Sequence, residues 1–83
     1  MSAEQKSTSA YEVWRAASAY EDQVREAYLN ALRVERATPA TSPLLPLRIQ
    51  ARHEARAVYD AAMQETDAAL GRYQRVQQRR EAA

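Results

Sequence analysis

Two helical stripes, from Ala10 to Val34 and from Leu44 to Val76, flank the only stretch that contains proline, and this arrangement leaves the chain few ways to fold. In the first stripe Ala10, Val13, Ala17, Tyr20, Val24, Ala27, Ala31 and Val34 follow one another at alternating steps of three and four. That spacing is the seam of a helix packing lengthwise on another helix. Pro39, Pro43 and Pro46 fall between the stripes, where each removes a backbone N–H and restricts the residue before it, so the chain must turn there. The pattern predicts an all-α fold: an antiparallel two-helix hairpin, coiled-coil-like, with an Ala-rich seam.

Local residues set the expected boundaries. Ser9 and Glu12 fit the S-x-x-E capping box, in which each side chain satisfies the other's free N–H, so helix one should span about 9–37. A Pro-rich turn is expected over 38–46, with Ser42 as the cap before Pro43 and regular helix resuming only near Leu47 because of Pro46. Helix two should run over about 47–80, with Ala51, Ala55, Val58, Tyr59, Ala62, Met63, Thr66, Ala69, Leu70, Tyr73 and Val76 along one face. Gly71 interrupts that face, which predicts either close helix contact or a bend. The hairpin domain thus covers 9–80, with a flexible segment expected over 1–8 and a short tail over 81–83.

In an antiparallel hairpin turning near residue 41, residues whose numbers sum to roughly 83 to 86 lie level. This register places Glu12 beside Arg72, Arg15 beside Asp67 and Glu4 beside Arg79 and Arg80, and it gathers Tyr11, Trp14 and Tyr73 into one aromatic layer.

Core material is scarce. Of the hydrophobic residues 18 are alanines, beside six Leu, five Val, two Met, one Ile, five Tyr and Trp14, with no Phe. An Ala-rich hairpin of 83 residues gains little apolar burial to set against its ordering entropy, so completion to a helical bundle by self-association or by a larger helical partner is expected. Tyr11, Trp14, Tyr28, Leu29 and Leu32 flank the first seam and widen its apolar surface beyond what one partner helix can cover. With Leu44 and Leu45 at the turn they form the expected partner-binding set; Tyr and Trp are the residues most enriched in interface hot spots.

A second constellation is basic. Arg48, Arg52 and Arg56 recur at i, i+4 and i+8, a line on one helix face, with His53 beside it and Arg33 and Arg36 across the turn. The line could bind phosphate or nucleic acid, could be a solvated face balanced by Glu35, Glu54 and Asp60, or could dock onto the acidic middle of a neighbouring copy, where Glu21, Asp22, Glu26, Asp60, Glu65 and Asp67 lie. The overall balance of 12 Lys plus Arg against 11 Asp plus Glu lacks the excess of a protein that coats nucleic acid, and no nucleic-acid partner is expected.

No enzyme is predicted. There is no Cys, hence no disulfide, thiolate metal site or thiol nucleophile, and no glycine-rich phosphate loop or metal-spaced cluster appears. His53 stands among arginines, whose field disfavours its protonation, and no cofactor or metal is expected. The longest apolar run, Leu44 to Leu47 across Pro46, is far short of the ~20 residues of a membrane span. The amino terminus MSAEQKSTSA lacks a signal peptide's apolar core, so a cytoplasmic chain is expected, with export by a dedicated secretion system as the alternative. Arg and Ala richness is typical of GC-rich bacterial or phage genomes.

In size and two-helix plan the chain resembles the Trp-x-Gly hairpins exported by type VII secretion systems and the needle subunits of type III systems, the latter through PATSPLL at Pro39 to Leu45. It differs from the first in carrying Trp14 inside helix one and Gln77 at the fourth place after Tyr73, and from the second in ending with QQRREAA. The function expected first is therefore non-enzymatic assembly or adaptor work through helix packing, with a hairpin subunit or chaperone of a specialised secretion system as an alternative, and a nucleic-acid module using the arginine line as another.

Overall fold

A computed structural model describes residues 9–82 of the chain. Within them α1 spans Ala10–Ala37 and α2 spans Leu45–Ala82, packed antiparallel along their length as a hairpin. The expected all-α, coiled-coil-like hairpin is the fold observed. The flexibility expected of residues 1–8, and a contact of Glu4 with Arg79 and Arg80, concern residues outside those described.

The capping box forms as expected: the Ser9 hydroxyl accepts from the Glu12 backbone N–H at 3.1 Å, and the Glu12 carboxylate accepts from the Ser9 N–H at 3.3 Å. At the other end the Thr38 hydroxyl donates to the Val34 carbonyl at 2.7 Å, so a last-turn acceptor is satisfied as the chain leaves the helix.

The turn is shorter than its prolines suggest. Two successive turns close it, with the Ser42 N–H donating to the Pro39 carbonyl at 2.9 Å and the Leu45 N–H donating to the Ser42 carbonyl at 3.2 Å. Helix α2 begins at Leu45 and not near Leu47, and its first intrahelical bond runs from the Arg48 N–H to the Leu44 carbonyl at 3.0 Å. Pro46 is accommodated because it lies in the first turn, where backbone N–H groups have no intrahelical acceptor to lose. Helix α2 also passes through Gly71 without interruption. A Cβ there would meet only the flexible end of Arg75 at 3.5 Å, so close helix contact does not explain this glycine.

The seam differs from the apolar stripe. On α1 the column Ala10, Ala17, Val24, Ala31 is shared by both readings, but its companion is Trp14, Glu21, Tyr28, Glu35, and Tyr20 and Ala27 are exposed. On α2 the columns are Ala55, Ala62, Ala69, Val76 and Leu45, Arg52, Tyr59, Thr66, Tyr73, whereas Ala51 and Val58 face outward. All recur every seven residues, the coiled-coil repeat. Large residues meet large ones: the Trp14 and Tyr73 rings stack at 5.7 Å with 3° between planes, and Tyr28 stacks on Tyr59 at 6.0 Å. Two turns nearer the loop, the Arg52 guanidinium donates to the Glu35 carboxylate. Small residues meet small ones on the other edge, where Ala17 and Ala69 line one groove and Ala10 and Val76 another. Among the described residues only Ala62 at 3% and Ala69 at 1% exposure are buried, so the hairpin's own core is a line of alanines.

Of the expected cross-helix charges, neither Glu12 with Arg72 nor Arg15 with Asp67 forms. Glu12 is held by the cap, and Arg15 donates instead to the Tyr11 hydroxyl at 3.1 Å. The aromatic layer is present, with Tyr11 5.9 Å from Trp14 and 5.4 Å from Tyr73 between ring centres.

Candidate helix-packing interface

Because the hairpin is two helices side by side, it has two broad faces. One is built outward from the large-residue edge of the seam. Next to Trp14 and Tyr28 on α1 runs the column Tyr11, Ser18, Arg25, Leu32; next to Tyr59 and Tyr73 on α2 runs Ile49, Arg56, Met63, Leu70, Gln77. Again each column repeats every seven residues, and five of these nine side chains are large and apolar. Leu32, Ile49, Met63 and Leu70 are half-buried and Tyr11 is exposed, with no third element of the described chain to cover them.

The residues expected to bind a partner divide into three groups. Trp14, Tyr28 and Leu45 belong to the intramolecular seam. Tyr11 and Leu32 lie on the broad face, with Leu29, 40% exposed, at its rim. Leu44, 47% exposed, sits at the hairpin tip, away from that face, because the turn closes before α2 starts. Ile49 lies outside the expected partner-binding set and Met63 and Leu70 are expected in the seam, whereas all three line the broad face. The recurrence 49, 56, 63, 70, 77 is the pattern that marks them as one strip.

The opposite face carries Val13, Tyr20, Val34 and Val58 in a looser scatter. A groove of about 280 Å³ there is lined by Val13, Ala17, Glu65, Ala68, Ala69 and Arg72. It follows the small-residue edge, where short side chains leave a furrow between the helices.

The arginine line does not present three equivalent cations. Arg52 is turned into the seam against Glu35, both half-buried. Arg56 pairs with Asp60 at 2.9 Å and lies over the rings of Tyr28 and Tyr59, at 5.4 and 5.8 Å from their centres. Hydrogen bonding to Tyr28, then the charge of Asp60, raise its pKa above the ordinary arginine value. Only Arg48 has no carboxylate partner among the described residues. A phosphate approaching this line would compete with carboxylates already in place.

Among the described residues no group of three His, Cys, Asp or Glu side chains is arranged to hold a metal ion. No helix of the described residues is long and apolar enough to cross a membrane. Comparison with protein-family models, with curated proteins and with solved structures gives no match for this chain.

Proposed function

We propose that this chain is a non-enzymatic assembly or adaptor protein whose working surface is the broad face between Tyr11 and Leu32 on α1 and between Ile49 and Leu70 on α2. The supporting observation is the mismatch between what the hairpin buries and what it displays. Among the described residues two alanines are buried, while two columns rich in large apolar side chains lie side by side on one face. The chain exposes 6421 Å², more than the about 5,000 Å² of a compact monomer of its 9.4 kDa mass, as two helices side by side must. Residues that recur every seven positions and are left uncovered by the partner helix are the material of a second helix-packing seam.

The commitment of Arg52 and Arg56 to Glu35 and Asp60 supports protein contact over phosphate contact. Leu32→Asp tests the reading: it lies on the displayed column and off the seam, so helicity by circular dichroism should persist while association, followed as mass by light scattering over a concentration series, weakens about thirtyfold, or about 2 kcal/mol. Unchanged association would mean that the face is exposed apolar surface without a partner.

A further inference from the structure

We propose that the occupant of the broad face is a second copy of this chain, docked face to face with its turn at the opposite end, so that two hairpins form a four-helix bundle with twofold symmetry. This rests on the assembly reading above and adds the partner and its orientation.

The argument begins with Glu21. It occupies a seam column between the two aromatic stacks and is half-buried, yet among the described residues it has neither an ion-pair nor a hydrogen-bond partner. The seam residue level with it, Thr66, donates its hydroxyl to the Ala62 carbonyl at 3.0 Å. One turn along the same face Arg25 is half-exposed and held only by Asp22 at 3.4 Å, an adjustable contact within the same helix.

A second hairpin laid on this face can run in either direction. With both turns at one end, α1 of each copy packs on α2 of the other, so Glu21 comes level with Thr66 and Arg25 with Ala62 and Met63, and Glu21 gains no cation at its level. With turns at opposite ends and the symmetry axis level with position 23, Glu21 of each copy faces Arg25 of the other, twice by symmetry. This position is the middle of Ala10–Ala37, so the register that satisfies the charges also overlaps α1 along its whole length. The same register brings the two Met63 side chains together near the axis and sets the Trp14 layer of each copy over Leu32 of the other. On the opposite face, Glu65 and Arg72 offer a comparable exchange, but their midpoint is level with position 18 or 19 of α1, and the hairpins would overhang.

The occupant is therefore argued from two features, the charge exchange and the length match. Self-complementarity of this kind is what an isologous interface requires, because a surface that binds its own copy must carry both partners of each contact.

The chain has no cysteine, so a single introduced one is a clean label site. Spin labels on Ala40→Cys in the full chain read the orientation. Antiparallel docking separates the two turns by about 50 Å at 1.5 Å per residue, whereas parallel docking brings them within about 25 Å, two or three helix diameters. A mass of two chains with the long distance supports the proposal. A dimer with the short distance overturns the proposal and leaves the assembly reading intact; a chain that stays monomeric at all concentrations overturns the proposal and removes self-association from that reading.

The charge exchange is tested separately. Glu21→Arg and Arg25→Glu should each weaken association tenfold or more, because each places like charges across the axis. Mixing the two variants should return association to within threefold of the original, since each interhelical contact again joins opposite charges while neither chain regains its own Glu21 and Arg25. If the mixture associates no better than the single variants, Glu21 does not face Arg25 across copies and the register is wrong.

Discussion

Trp14→Ala should lower the thermal midpoint by roughly 12 to 24 °C, the shift for about 3 kcal/mol in a domain of this size. Trp14 is the largest side chain and the central member of the aromatic layer, stacked on Tyr73 and tilted against Tyr11, with all three ring centres within 6 Å of one another. Its removal deletes two ring contacts, uncovers Tyr73 and leaves the open end of the hairpin with only Ala10 and Val76 across the seam. Trp14→Phe keeps a ring in the layer and should recover more than half of the loss. Circular dichroism melts at one fixed concentration check both values; a shift of less than about 5 °C for Trp14→Ala would show that the layer is surface decoration and that the helices are held elsewhere.

Ala69→Leu should also destabilise, although the substitution adds apolar surface. Ala69 is 1% exposed, and in the seam it faces the Ala17 column, where the separation of the two helices is set by methyl groups. A leucine there must push the helices apart or leave its preferred rotamer, at a cost of about 1–3 kcal/mol, which corresponds to a midpoint lowered by roughly 10 °C. The same change at exposed Ala61 serves as the control and should move the midpoint by only a degree or two. A raised midpoint for Ala69→Leu would mean that the Ala column has slack and does not set the spacing.

The architecture was legible in the sequence because the constraints behind it are local. Prolines confined to one segment forced the turn, and Ser9 with Glu12 marked the start of α1. The seam was half legible for a physical reason. After each of Ala10, Ala17, Val24 and Ala31, a helix can present either the residue three places on or the one four places on. The first choice, Val13, Tyr20, Ala27 and Val34, is wholly apolar and therefore attracts a pattern-based reading. The structure takes the second, Trp14, Glu21, Tyr28 and Glu35, because the aromatic pair finds rings to stack on and Glu35 finds Arg52, and these outweigh what Ala27 and a second Tyr could bury. Glu35 is tolerated at its seam position because Arg52 on the facing helix neutralises it, and no count of apolar spacing within one helix reveals that. The same shift moved Met63 and Leu70 from the inner seam to the displayed face, which is why α2 contributes more to the candidate interface than its sequence suggested. Leu44 illustrates the converse: proline content made the turn look longer than it is, and Leu44 falls at the tip, where it cannot share a surface with Leu29.

The setting of the arginine line was hidden in the sequence on similar grounds. Regular spacing along one helix put Arg48, Arg52 and Arg56 on one side, but their partners lie partly on that helix and partly on the other, and only the packed hairpin shows Glu35 meeting Arg52 across the seam.

The central claim is that one hairpin is an incomplete fold that packing on its broad face completes. The most direct measurement is the thermal midpoint of the unmodified chain over a thousandfold dilution, with its mass determined at each concentration by light scattering. A fold completed by association must lose stability on dilution by mass action, so the midpoint should fall by several degrees for each tenfold dilution while the mass drops from two chains towards one. A midpoint above about 60 °C that does not change across the series, with the mass of a single chain throughout, would contradict the account.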